Sequence, residues 1–194
     1  MIFSKIWIKL QNINSFSYRN YTKIIKHGKM KRIGCLSDTH GYLNDKLFGF
    51  FSSCDEIWHA GDIGSVDVAH KLEAFRPLKA VYGNIDGPDI RGRFPLHMRF
   101  EVEGTDVWIT HIGGFPGRYD PGVKPLIYEK PPKLFICGHS HILRVMNDKK
   151  LKLLHINPGA AGRSGIHNVS TAVRFVLDNG DIKDLEVLEM EMHS

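Results

Sequence analysis

Five short segments of this 194-residue chain end an apolar run in an acid, an amide or a histidine: CLSDTH, HAGDIG, VYGNIDG, WITHIGG and ICGHSH. Together they supply Asp38, His40, Asp62, Asn84, His111, His139 and His141. Carboxylate, imidazole and amide oxygen suit Mn2+, Fe or Zn2+, and no thiolate of a Cys-rich structural zinc site accompanies them. A lone histidine after a strand is ordinarily a turn residue or a satisfied core group. Five such segments in register differ, because loops at the carboxyl ends of strands in α/β sheets converge on one crevice. Seven donors are too many for one tetrahedral ion and suit two. Two cations about 3.5–4 Å apart, sharing a carboxylate and a water, acidify that water and stabilise both oxygens of an in-line displacement at phosphorus.

These residues need elements to position them. From Lys31 onward, apolar runs alternate with helical patterns, the rhythm of α/β architecture. RIGCLSD, EIWHAGD and LKAVYGN predict three strands. NDKLFGFFSSC and SVDVAHKLEAF predict helices between them, the second with Ser65 as N-cap. After Pro95, HMRFEVEGTDVWITH alternates on both sides of Glu103-Gly104-Thr105 and predicts an antiparallel hairpin. Residues 113–132, rich in proline and glycine, predict a loop with one short helix. KLFICGHSH and LKLLHINPGAAG each predict a further strand-to-turn unit, and the last strands turn at Asp178-Asn179-Gly180. The pattern reads as βαβ-like in its first half and mostly antiparallel in its second. Two packed sheets flanked by helices follow from it.

The formal net charge of +5 is unevenly placed. Residues 1–30 hold Lys5, Lys9, Arg19, Lys23, Lys26 and Lys29 with no acid, and the other 20 basic residues face 21 acids. The basic character therefore belongs to an extension over residues 1–29, followed by a domain over 30–194. The extension reads as a start-site artefact with Met30 the true beginning, a basic nucleic-acid arm, a membrane-surface helix or a transit segment. Outside it nothing supports nucleic acid as a partner. Three cysteines without a CxxC pair suggest neither a disulfide framework nor a zinc knuckle, which fits a reducing cytoplasm. No run approaches the roughly 18 apolar residues of a bilayer span, so no membrane partner is expected.

In order, D-x-H, G-D, G-N, H and G-H-x-H resemble the signature of calcineurin-like metallophosphoesterases over about residues 31–165. The small size and GNID, where many relatives have G-N-H, are similar to the compact prokaryotic phosphodiesterase subgroup. The resemblance implies a four-layer α/β-sandwich and a hydrolase of phosphodiesters or phosphomonoesters acting through a metal-bridging hydroxide. It implies two divalent ions, Mn2+ first, with Ni2+, Zn2+ or Fe as the other candidates. Asp38, His40 and His141 would hold the first, Asn84, His111 and His139 the second, and Asp62 would bridge them. The substrate would be a small phosphate ester, and homo-oligomerisation is left open. The same fold also serves as a noncatalytic interaction scaffold, and a nuclease using the basic extension is a further alternative.

GNID departs from the broader family pattern. Ile85 stands where a histidine often follows Gly-Asn, so the family's general acid is not carried over. Asp86 is a catalytic candidate with a turn-stabilising alternative. Arg163, after the N-P-G segment, is a substrate-binding candidate or a solvent-facing residue. His59 is either a buried strand residue or an orienting partner of a metal ligand. Phe115 and Tyr119 belong to the specificity loop 113–132, where packing competes with stacking on a substrate ring. Cys35 and Cys137 read as small buried residues.

Overall fold

The computed structural model describes residues 30–165 and 168–191; the extension 1–29, with every reading of it, lies outside them. Strands β1 (Lys31–Leu36), β2 (Glu56–His59) and β3 (Leu78–Ala80) run parallel, as their βαβ pattern requires. Helices α1 (Lys46–Phe50) and α2 (Val66–Phe75) connect them, and α3 (Pro88–Arg91) follows β3. The Ser65 side chain accepts the Val68 N–H and caps α2, satisfying one of the donors a helix start leaves free. Strands β4 (His97–Val102) and β5 (Thr105–Thr110) form the expected hairpin. Glu103 and Gly104 at its tip both take positive φ, the conformation a two-residue hairpin turn demands.

The loop region contains a two-stranded ribbon, β6 (Gly114–Phe115) with β7 (Arg118–Tyr119), and helix α4 (Lys124–Glu129). The chain continues through β8 (Leu134–Ile136), β9 (Leu143–Asp148), β10 (Leu153–Pro158), β11 (Val169–Asp178) and β12 (Asp181–Glu191). One sheet has the order β12-β11-β1-β2-β3 and the other β4-β5-β8-β10-β9. The second half is mostly antiparallel, in the pairs β4–β5, β6–β7, β9–β10 and β11–β12, but β5, β8 and β10 run parallel at the centre of their sheet. The short, wholly apolar β8 carries no directional mark, and β9 lies in a mixed sequence that is largely exposed.

Period-two alternation divides the core into three layers of contact. Ile33 and Cys35 of β1 meet Val107, Ile109, Leu134 and Ile136 of the other sheet, forming the centre between the sheets. Leu36 faces outward into the cluster holding Leu47 and Phe51 of the α1 segment and Leu72 of α2. On the far side, Trp108 and Phe135 pack with Val123 and Ile127 beneath α4. Helix, sheet, sheet and helix therefore make a four-layer α/β-sandwich. Among the described residues no helix is long and apolar enough to cross a membrane.

Candidate metal centre

The loops leaving β1 and β2 are hydrogen-bonded to each other along their length. The backbone N–H groups of Asp38, His40 and Gly41 donate to the carbonyls of Gly61, Asp62 and Ile63 at 3.0, 3.0 and 2.9 Å. In the second sheet the Gly138 N–H donates to the His111 carbonyl at 3.0 Å. Asp38, His40, Asp62, His139 and His141 all have φ between 47° and 68°. Left-handed backbone is uncommon for such residues, and it persists where surrounding bonds over-determine it, a pattern that clusters at functional sites. Two glycines set how closely the loops approach. A Cβ on Gly138 would lie 1.9 Å from Ser37 Oγ, and one on Gly83 would lie 2.0 Å from Asp62 Oδ1.

These constraints gather two groups of ligand atoms: Asp38, His40 and His141, then Asp62, His111 and His139, each within 4.8 Å. Asn84 joins the second group through its Oδ1, 3.1 Å from His111 Nε2. Asp62 lies between the groups. Its Oδ1 is 3.2 Å from His111 Nε2, and its Oδ2 is 3.9 Å from His40 Nε2.

Several contacts inside these groups bring acceptor atoms close together. His111 Nδ1 donates to the Ala60 carbonyl at 2.8 Å, so in the neutral ring the Nε2 lone pair faces the oxygens of Asp62 and Asn84. His40 Nε2 and His141 Nε2 approach to 3.2 Å. Asp38 accepts the His139 N–H at Oδ2, while its buried Oδ1 has no well-directed donor, although His141 Nε2 lies 3.3 Å away. A buried carboxylate oxygen without a donor is costly unless a positive charge reaches it. Asp38, by contact and by charge, draws His141 toward its protonated form against burial. Burial opposes the same change at His111, but Asp62 and Asp38 overcome it. The pocket thus attracts positive charge, and its oxygen and imidazole donors fit divalent ions of intermediate hardness.

The calcineurin-like phosphoesterase superfamily domain matches residues 30–186. The chain belongs to that superfamily. A probable metallophosphoesterase of Methanothermobacter thermautotrophicus is 28% identical over 163 residues, covering 80% of this chain and 91% of that protein. A solved structure described as a novel archaeal phosphodiesterase superposes with a TM-score of 0.62 at 24% identity, covering 81% of this chain and 99% of its own. Vacuolar protein sorting 29 of Cryptosporidium parvum has a TM-score of 0.60 at 18% identity, covering 84% and 99%.

Around the phosphoesterase site, several residues take definite places. Asp86 is buried and its carboxylate accepts three backbone N–H groups: Ile63 at 3.1 Å, Gly64 at 2.7 Å and Gly83 at 2.8 Å. It braces the loop bearing Asp62 against the loop bearing Asn84, while Ile85 projects into solvent. His59 is a buried strand residue whose ring is held between the loops leaving β1 and β2. Its Nδ1 accepts the Gly61 N–H, and its Nε2 lies 2.9 Å from Thr39 Oγ1, which donates to the Ile63 carbonyl. Arg163 lies with its guanidinium carbon 4.1 Å from the ring centroid of Tyr42, two residues after His40. Tyr119 is buried with its hydroxyl donating to Asp148 at 2.8 Å, so it packs its loop. The three cysteines are buried free thiols, and burial pushes Cys137 up to about 12.

Two positioning residues escape a reading of the sequence. Asn157 donates to the Gly138 carbonyl at 2.8 Å and to Ser140 Oγ at 3.0 Å, holding the turn between His139 and His141. Its N-P-G context was a signal, though only for backbone approach. Arg91 donates to the carbonyls of Asp86 at 2.6 Å and Asn84 at 3.0 Å, clamping the loop that presents Asn84. No local pattern marks Arg91, because its targets are main-chain oxygens.

Proposed function

We propose that residues 30–194 form a dinuclear metal-dependent hydrolase acting on phosphodiesters and, more slowly, on phosphomonoesters. The observation that carries the proposal is the place of Asp62, whose two oxygens face different groups of donors. In this reading Asp38, His40 and His141 hold one ion, Asn84, His111 and His139 hold the other, and Asp62 spans them. When bound, the ions supply Lewis acidity, making water nucleophilic near neutral pH and neutralising charge on the phosphoryl oxygens. We assign Mn2+ to both places, with Ni2+, Zn2+ or Fe as substitutes.

The side chains set the charge of the site. Two carboxylates against two divalent ions leave it net positive, and Asn84 adds an oxygen without adding negative charge. An anionic phosphoryl group is attracted to such a site. Asp86 has its oxygens turned to backbone amides, so it acts by holding Asp62 and Asn84 in register rather than by moving a proton. With Ile85 exposed beside Asn84, no side chain on that loop is placed to protonate a departing alkoxide. Esters with good leaving groups are the expected substrates, and the archaeal neighbour of the same fold is described as a phosphodiesterase. This reading gives a phosphoryl oxygen to Arg163, which stacks on Tyr42, two residues after His40. A cytoplasmic setting belongs to the same reading.

The test is metal removal followed by assays of aryl phosphate monoesters and diesters after adding back Mn2+, Ni2+, Zn2+ or Mg2+. Loss of turnover on removal and its return with Mn2+, faster on the diester, is the expected result. No turnover with any ion, together with no bound metal by elemental analysis, would leave the fold as a protein-interaction scaffold. A nuclease instead requires residues 1–29 and nucleic-acid binding that weakens steeply with salt.

A further inference from the structure

Beside the metal centre lies a cavity of about 360 Å3 whose wall includes Gly138 and His139. Apart from Asn157 and Ser140, which hold the turn bearing His139 and His141, the hydrolysis proposed above uses none of its remaining residues. Two cations line it, Arg118 on β7 and Arg144 on β9. The guanidinium carbon of Arg144 sits 4.0 Å from the ring centroid of Phe115, a cation–π contact that orients the planar fork, and among the described residues its N–H groups make no hydrogen bond. Neither arginine forms an ion pair among the described residues. Asp120 is the carboxylate among the lining residues, and its Oδ1 already accepts the Gly122 N–H at 2.8 Å. His155, at the same wall, stays neutral because burial pulls it down to about 4. The cavity is therefore a positively charged recess that shares His139 with the reactive centre. Arginine forks of this kind bind phosphate or carboxylate through paired, charge-assisted hydrogen bonds.

We infer that this cavity is a subsite for a second anionic group on the substrate, held by Arg118 and Arg144 while the scissile phosphoryl group occupies the metal centre. The inference rests on the phosphoesterase reading of that centre and narrows its substrate class. It selects an ester one of whose arms carries a further phosphate or carboxylate. The volume lies in the range of small-ligand sites and accommodates an arm of sugar or ring size, with Phe115 as its apolar wall.

The experiment compares thymidine 3′,5′-bisphosphate with thymidine 5′-monophosphate as inhibitors of bis(p-nitrophenyl) phosphate hydrolysis by the Mn2+-loaded protein. In the native protein the bisphosphate should inhibit at a concentration at least about tenfold lower, the effect of one added charge-assisted contact. In R118Q/R144Q the ratio of the two inhibition constants should fall toward one, and R144K should lie between. Both constants are measured on the same protein, so a change in its basal rate cancels. R118Q alone, at an exposed position, keeps the test open if the double variant fails to fold. A native ratio near one, or a ratio unchanged in the variants, overturns the subsite. If no ion restores hydrolysis, the parent reading fails separately. Calorimetric binding of the bisphosphate to native and R118Q proteins then decides the subsite alone, with equal affinities overturning it.

Discussion

Gly83→Ala isolates the part of the site that rests on close approach alone. An alanine Cβ there would stand 2.0 Å from Asp62 Oδ1 and 2.3 Å from Asp62 N. Ordinary contact begins near 3.4 Å, so the carboxylate would have to retreat by about 1.4 Å and the backbone by about 1.1 Å. Neither loop is free to move alone, because Asp86 ties residue 83 to residues 63 and 64 through its three backbone hydrogen bonds. The displacement also breaks the bond from Ile85 N–H to Asp62 Oδ1, now 3.1 Å. Overpacking of this kind costs about 1–3 kcal/mol, a fall in Tm of roughly 2–12 °C for a domain of this size. Activity should suffer more, since misplacing a catalytic group by about 1 Å costs on the order of a hundredfold. The assay is kcat/KM on bis(p-nitrophenyl) phosphate at saturating Mn2+, with metal content and circular dichroism on the same samples. A folded Gly83→Ala protein retaining activity within about threefold and full metal content would refute the role given to Asp62.

Three further outcomes follow from polar groups that support the site and its surroundings. His155 is held neutral in the fold at about 4 against an ordinary 6.5, so between those values the unfolded chain binds the extra proton. Stability tied to neutral His155 is thus present above about pH 6.5 and lost as pH falls toward 4. That loss is about 3 kcal/mol, so the stability gap between native protein and His155→Gln should narrow by that order from pH 7 to 4.5 in urea titrations. A gap independent of pH would count against it. Asp86→Asn should lower stability by about 3 kcal/mol and weaken Mn2+ binding, because an amide cannot accept three backbone N–H groups with the same oxygens. The shape of its pH–rate profile should stay native; a lost limb in that profile would make Asp86 a proton carrier. Arg91→Gln should reduce kcat about tenfold through a looser Asn84, with fold and KM largely retained; an unchanged kcat would show that the clamp is dispensable.

The sequence made the site more legible than the fold, and the reason is physical. Each candidate ligand lies within a few residues of the end of a strand, where polar residues interrupt an apolar run. That break is local and visible in CLSD, HAGD and ICGHSH. Strand direction is set by partners far along the chain, so Leu134–Ile136 could not announce that it runs parallel to both β5 and β10. The surrounding support was hidden for a related reason. Arg91 and Asp86 hold main-chain atoms, which every residue possesses, and no residue pattern identifies the amide or carbonyl that a side chain will find. Asp86 was ambiguous between proton carrier and turn brace because both roles need the same carboxylate, and the three amides it accepts from are what the brace reading rests on. The backbone at five candidate ligands adds information that residue types lacked. Asp and His at positive φ carry a conformational cost that hydrogen bonds between the loops must offset. Those bonds run between the loops that bear Asp38, His40 and Asp62 and hold the donor atoms together before any ion arrives. The fold therefore meets the cost of gathering like-charged carboxylates itself, and a cation that binds there relieves it.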